Sequence, residues 1–497
     1  MDFFEDPEDV VKSEFIAVVL AGFGRELQPL TSNHGDEPCP KALLPIGNKP
    51  MIDYILAWLE PSGVTDVLLV CPTSHRRSIA DHVRSDASAS FPSLRIDLQT
   101  YGDPQDSSFG TGSILRTFAH RIDRDFVVLP CDFIPPPSLQ LLTVLNKFRM
   151  ESAASGSILT STWYEAPSQP DKNAGDEWGP HTPLTSIVWD EKTGSLLQVE
   201  IPNSLNRNDE EIELKMSLLS MHPRLKLTNR LQDSNVLVCH RSVLELLQKK
   251  RKLESLSKGF LPWLCKINHC RSKKEAYKTL LQPYRKMPTL ANALKHSTLN
   301  EPNTINYKEE DDGKITTNHG PNTRVGLITH KAGDGIAARM NNLYDYLEVN
   351  RRFLEQAAQN QAGPPAKGPL IDSKAQISAD SSIGQSTRVE ERASVKKSVI
   401  GRHCVIGKMT KIVGCVILDH CIIEDGAKLE GCILGGSTKV GAKAELSKCV
   451  TQAGFEVDTG GNYRNAKLEI SDWTTAGAYD DEESDEDEEF EAESEDD

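Results

Sequence analysis

The stretch Val395-Lys-Lys-Ser-Val-Ile-Gly-Arg-His-Cys-Val-Ile-Gly-Lys-Met-Thr-Lys-Ile412 decides the fold of the C-terminal part of the chain. Branched apolar residues recur in it at a spacing close to six. The series begins upstream at Ile371, Ile377, Ile383, Val389 and Val395. After a one-residue slip it continues through Ile400, Ile406, Ile412 and Leu418. A second slip leads to Ile423 and Leu429, and a third to Leu434, Val440 and Leu446. A period of six fits neither an α-helix nor a simple strand. It fits a parallel β-helix of hexapeptide repeats, in which each hexad forms one flat side of a triangular coil. The small residues Ala375, Ser381 and Ala393 suit its corners. Gly384, Gly401, Gly407 and Gly441 follow inward residues and are expected where the chain turns tightly. Cys404, Cys415, Cys421, Cys432 and Cys449 fall inside the solenoid and read as small buried or corner residues. Such a solenoid is a scaffold whose faces and ends receive other chains.

Upstream, the pattern changes. Phe15 to Ala21 is a short apolar run rich in β-branched residues, the signature of a strand buried on both faces. Further strands are expected at 66–71, 94–99, 125–129, 157–162, 185–189, 196–200, 235–239 and 324–329. Helical patterns are expected from Met51, with Ile52, Ile55, Leu56 and Leu59 on one face, and at 113–119, 138–148, 242–249 and 337–358. Alternating strands and helices argue for an α/β layer with a mostly parallel sheet. The fold class is therefore α/β: a Rossmann-like domain with a mostly parallel sheet, followed by a parallel β-helix of hexapeptide repeats. The expected divisions are an N-terminal arm (1–14), the α/β domain (15–294) and a polar linker (295–322). A connecting strand and helix (323–365), the β-helix (366–455), an extension (456–479) and an acidic tail (480–497) complete them.

The formal net charge of the 497 residues is −16, but fourteen of the eighteen residues from Asp480 to Asp497 are acidic. Without them 58 acidic residues face 56 basic ones, so the body is nearly neutral. That argues against direct nucleic-acid binding, which needs excess Lys and Arg. No apolar run nears the roughly 18 residues of a membrane span, and Met1 to Glu14 is unlike a signal peptide. Eleven cysteines without a CxxC pair suggest neither a disulfide framework nor a zinc site, and a reducing, cytosolic setting follows. Cys265, His269 and Cys270 read as buried small residues rather than ligands, since no second ligand pair follows.

Chemistry would sit after the first strand, in Leu20-Ala-Gly-Phe-Gly-Arg-Glu-Leu-Gln-Pro-Leu-Thr31 and in Pro40-Lys-Ala-Leu-Leu-Pro-Ile-Gly-Asn-Lys-Pro-Met-Ile52. Gly-rich loops let backbone N–H groups approach phosphates. With Gly110-Thr-Gly-Ser113 opening a helix and Asp132 after a strand, these segments resemble the nucleotide-sugar pyrophosphorylases. The resemblance covers most of residues 15–450. It implies a pocket of Gly22, Gly24, Lys41, Gly110, Thr111, Gly112 and Asp132, the last where the family keeps a magnesium-binding carboxylate. The first loop departs from the family pattern Leu-Ala-Gly-Gly-x-Gly-Thr-Arg-Leu. It lacks one glycine and carries Glu26 at the position of the activating arginine, with Arg25 beside it. Residues 31–40 form a longer segment than usual, expected to displace Lys41. The expectation is a retained fold without transferase chemistry: no catalytic residue, no metal, no cofactor. The pocket residues are then either packing relics or a weak nucleotide or sugar site.

Leu214-Lys-Met-Ser-Leu-Leu-Ser-Met-His-Pro-Arg-Leu-Lys226, together with Tyr346, Asn350 and Arg351, resembles the gamma-subunit family of translation initiation factor 2B. An epsilon subunit would continue past the β-helix into a helical-repeat domain, where here the acidic tail begins. The resemblance implies a non-catalytic role in guanine-nucleotide exchange. The implied partners are an epsilon subunit, alpha, beta and delta subunits in a decamer, and initiation factor 2 as the substrate G protein. The alternative is an active or regulatory subunit of a mannose-1-phosphate guanylyltransferase. Ser484 and Ser494 each precede an acidic residue by three positions, as acidophilic-kinase sites do.

Overall fold

The apolar run after residue 14 forms β1 (Phe15–Leu20). Its side chains alternate between two cores: Phe15, Ala17 and Val19 enter one, Ile16 and Val18 the other. A strand covered on both faces has no solvent side to make polar, hence the unbroken apolar sequence. The computed structural model describes residues 13–35, 37–102, 110–165, 185–200, 214, 216–268, 276–277, 324–360 and 370–470. The linker expected at 295–322, His269, Cys270, Ser484, Ser494 and the acidic tail lie outside the described residues.

β1 joins a ten-stranded sheet with β2 (Asp66–Pro72), β3 (Arg95–Tyr101), β4 (Asp125–Pro130), β5 (Leu159–Glu165), β6 (Ser186–Asp190), β7 (Ser195–Glu200), β8 (Leu225–Thr228), β9 (Leu231–Cys239) and β10 (Val325–His330). The order is β8-β6-β7-β10-β5-β9-β4-β1-β2-β3. β3, β2, β1 and β4 are parallel neighbours, as are β5 and β10. β9 opposes β4 and β5, β7 opposes β10 and β6, and β8 opposes β6. Seven of the ten strands therefore run one way, with β7, β8 and β9 reversed. Only β8 escapes the sequence pattern, because four half-exposed residues at a sheet edge carry no clear periodicity. The connections of β1 lead to β2 on one side while β4 lies on the other. That reversal opens a crevice at the carboxyl ends of the strands, the usual ligand position in such sheets.

The flanking helices include α1 (Met51–Leu59), α2 (Thr111–Thr117), α3 (Leu141–Ser155), α4 (Ser242–Lys249), α5 (Leu261–Asn268) and α6 (Leu343–Asn360). The face Ile52, Ile55, Leu56, Leu59 of α1 is buried on the sheet as its spacing predicts. The helix expected from residue 337 starts only at Leu343. Ala338–Arg339 instead pairs as a short strand with Phe133–Ile134. Asn342 then caps α6, its side-chain oxygen accepting from the backbone N–H of Asp345 at 2.6 Å.

Behind α6 three six-stranded parallel sheets wind into the β-helix. Val389, Ile406, Ile423, Val440 and Val457 stack on one inner face. Val395, Ile412, Leu429, Leu446 and Tyr463 stack on the second, and Ile400, Ile417, Leu434, Thr451 and Leu468 on the third. The slips are thus regular: the first coil has three six-residue sides, and in each later coil two sides span six residues and the third spans five. This corrects one inward assignment. Ile417 points into the solenoid, whereas Leu418 turns outward against α6. The glycines at 384, 401, 407 and 441 also have a different reason. Their backbones are not left-handed, but a Cβ on Gly401 would lie 2.4 Å from the Asp419 side chain and 2.7 Å from backbone of the next coil. The left-handed turn comes two residues later, at His403. The five solenoid cysteines are buried, free thiols, as their small size suggests.

One cluster joins the two parts. Outward Val399, Val416, Ile433 and Val450 of the β-helix meet Leu343, Tyr346, Leu347 and Leu354 of α6, and these meet Leu27, Leu30, Leu44 and Ile46 of the loops after β1. Asn350 accepts from Gly47 N at 3.0 Å and Asn48 donates to Ile400 O at 3.0 Å. The long segment 31–40 belongs to this joint: Gln452 Nε2 donates to Asn33 O at 2.7 Å. Asp345 lies in the first turn of α6, and burial raises its carboxyl to about 6 despite the bond from Asn342. A raised carboxylate costs stability as pH climbs from about 4 towards that value. Asp345→Asn is therefore expected to exceed the native chain in stability at pH 7.5, by on the order of 1 kcal/mol. Thermal melts should show the gap closing by about pH 4.

Candidate functional site

The crevice at the ends of β1, β2, β4 and β9 holds a cavity of about 340 Å³. Its floor is apolar, with Leu20, Val70, Val128 and Leu237, and its rim carries Gly22, Gly24, Arg25, Glu26, Lys41, Thr111, Asp132, Asn235 and Arg339. Of the residues the sequence singles out, Gly22, Gly24, Lys41, Thr111 and Asp132 therefore meet in one place. Gly110 and Gly112 do not line the cavity. A Cβ on Gly110 would sit 2.3 Å from the Glu254 carbonyl oxygen, and Gly112 N donates to that same oxygen at 2.6 Å. Thr111 Oγ1 accepts from Leu256 N at 2.9 Å. Segment 253–256 thus takes backbone and hydroxyl groups at the start of α2 that a phosphate would need.

The first loop is shaped around Lys41. Gly24 has φ +76°, and a Cβ there would meet Lys41 Cβ at 2.8 Å. Thr31 Oγ1 donates to Gly24 O at 2.9 Å and closes the loop. Lys41 lines the crevice beside Gly24, while Asn33 of the long 31–40 segment is bonded to the β-helix through Gln452. Phe23 packs edge-on against His75 and Tyr101. Arg25 and Glu26 are exposed at the mouth.

Lys41 Nζ reaches Asp132 Oδ2 at 2.5 Å, both side chains being buried. Arg339 Nε donates to Asp132 Oδ1 at 3.2 Å. Asn341, with its amide turned to satisfy both ends, donates to Asp132 Oδ2 at 2.8 Å and accepts from Arg339 at 3.3 Å. The Asn235 carbonyl accepts from Arg339 Nη2 at 2.9 Å while its amide donates to Asp233 Oδ2 at 2.9 Å. Burial would raise the Asp132 carboxyl, but Arg339 and then Lys41 hold it down at about 2. Asp233, buried with weaker compensation, is shifted upward. Arg339, Asn341, Asn235 and Asp233 are absent from the sequence-derived set. Arg339 stands 207 residues from its partner Asp132. The readable hint was the polar cluster Arg339, Asn341, Asn342 ahead of an apolar helix.

A magnesium ion at Asp132, implied by the pyrophosphorylase resemblance, does not fit these residues. Both carboxylate oxygens already accept from three donors, two of them cationic, and an incoming cation would meet Lys41 and Arg339. Among the described residues no group of three or more His, Cys, Asp or Glu side chains is arranged to hold a metal. No described helix is long and apolar enough to cross a membrane.

Residues 16–169 match the nucleotidyl transferase family model, and residues 366–462 match the model of the EIF2B subunit epsilon LbH domain. The chain is 30% identical over 457 residues to translation initiation factor eIF2B subunit gamma of Schizosaccharomyces pombe, covering 92% of this chain and 90% of that one. It belongs to the eIF2B gamma-subunit family. The Dictyostelium discoideum gamma subunit is 23% identical over 80% of this chain and 89% of its own length. The epsilon subunit of the same organism is 26% identical over 51% of this chain and 34% of its own length. The gamma family is one of translation initiation factors, and in this member it combines a nucleotidyltransferase-like domain with a left-handed β-helix. Tyr346, Asn350 and Arg351, part of the sequence resemblance to that family, all belong to the joint: Tyr346 Oη donates to Pro45 O at 2.6 Å, and Arg351 lies against Gly414.

Proposed function

We propose that this chain is a non-catalytic gamma subunit of the cytosolic exchange factor for translation initiation factor 2. It holds an epsilon subunit, joins alpha, beta and delta subunits, and adds surface that favours the nucleotide-free form of the substrate G protein. Such help is differential binding to one state of the partner. The observation that carries the non-catalytic part is the closed network on Asp132, where an activating cation and a phosphate would otherwise sit. Exposed Glu26 at the mouth adds a negative charge facing any incoming triphosphate. The subunit role rests on the family membership, and a nearly neutral body suits large protein interfaces.

The test is co-expression of the chain with an epsilon subunit. The expected result is a stable complex that releases GDP from initiation factor 2 about ten-fold faster than epsilon alone. The purified chain is expected to form no pyrophosphate from GTP and mannose 1-phosphate. A chain that stays apart from epsilon, or that turns over those substrates, would overturn the proposal.

A further inference from the structure

We infer that Arg339 is a tethered counter-ion that, with Lys41, holds the Asp132 carboxylate of the crevice closed to free divalent cations. Two carboxylates drawn into one poorly hydrated space repel each other unless a cation lies with them. Asp132 and Asp233 come from different strand ends, and Arg339 reaches both: Asp132 directly at 3.2 Å, Asp233 through the Asn235 amide at 2.9 Å. Its guanidinium remains charged at any physiological pH and spreads its donors over several acceptors. Lys41 supplies the second positive charge at Asp132. The two side chains together therefore carry the charge of one divalent ion against two carboxylates.

The tether explains why an ion from solution does not compete. Arg339 lies on the short strand Ala338–Arg339, which pairs with Phe133–Ile134 directly after Asp132. Met340 N donates to the Asp132 carbonyl at 3.0 Å. Cation and carboxylate are thus fixed by the same backbone ladder. A free ion must lose water, displace a side chain that cannot diffuse away, and leave that guanidinium unpaired nearby.

The experiment is titration of the full chain with Mn²⁺, followed by the electron paramagnetic resonance signal of the free ion. Up to about 1 mM Mn²⁺ the native chain is expected to show no binding beyond that of its acidic tail, which Asp132→Asn leaves unchanged. Arg339→Ala is expected to bind saturably, at least about ten-fold more tightly, and to gain thermal stability from the ion. The double variant Arg339→Ala/Asp132→Asn is expected to lose that binding. If Arg339→Ala does not fold, Arg339→Gln, which keeps the stem without the charge, takes its place under the same criteria. Two outcomes overturn the inference: saturable binding by the native chain that Asp132→Asn abolishes, or a folded Arg339 variant that binds no Mn²⁺.

Discussion

Asp132→Asn is expected to destabilise the chain by about 3–5 kcal/mol, read from the urea midpoint at constant slope. Asparagine keeps the shape of the side chain and one acceptor oxygen. It removes the charge that pairs directly with both Lys41 and Arg339, leaving two cations beside each other with little water. Breaking one partner of a buried pair costs far more than the pair contributes, because the survivor stays desolvated. The sign of the effect separates two histories of this pocket. A carboxylate kept open for a metal and substrate is strained by its function, and its removal tends to leave stability unchanged or improved. A carboxylate absorbed into a structural network behaves in the opposite way. A loss under about 1 kcal/mol, or a gain, would mean that Asp132 is not held as its contacts indicate.

How much of the pocket could be read beforehand follows from where its parts lie in the chain. Gly22, Gly24, Lys41, Thr111 and Asp132 each sit in a short motif at a strand or helix end, so motif and place in the fold coincide. Arg339 has no motif. It reaches Asp132 through a pairing of two-residue strands whose register depends on the whole tertiary structure. The spacing of apolar residues also extended the following helix back over it, although Asn342 marks the true start. The resemblance to transferases pointed to residues that meet at the crevice, but it gave no sign of the Arg339 bond to Asp132 or of the Glu254 carbonyl seated on Gly112. Gly110 and Gly112 make the same point: the glycines are required, but by close packing against segment 253–256.

The β-helix was legible because each inward residue meets the same environment as its neighbour one coil away. Period and identity are therefore repeated many times. The mistake at Leu418 arose where two adjacent residues are both apolar and both buried. Hydrophobicity cannot tell an inward residue from one facing a docked helix. Register decides it: Ile417 pairs with Ile400 and Leu434, so it must share their direction. The outward ladder Val399, Val416, Ile433 and Val450 was itself a signal, since a solvated face would alternate with polar residues. Its apolar character records the helix that covers it.

That covered face carries the second large prediction. Tyr346→Ala is expected to cost about 3–5 kcal/mol and to split the single unfolding transition into two. Tyr346 is fully buried, packs within the cluster shared by α6, the loops after β1 and the β-helix, and donates to Pro45 O. Truncation leaves a cavity where three elements meet and deprives the Pro45 carbonyl of its donor. The solenoid keeps its own stack of inward residues, and the sheet keeps its two cores, so each part retains a reason to fold. Their coupling loses its central side chain. Tyr346→Phe is the control: it keeps the ring and loses only the hydrogen bond, at a cost of about 1 kcal/mol with one transition preserved. Scanning calorimetry distinguishes the cases. A single transition in Tyr346→Ala, shifted no further than in Tyr346→Phe, would place the coupling elsewhere, in the polar contacts of Asn48 and Gln452 with the other half.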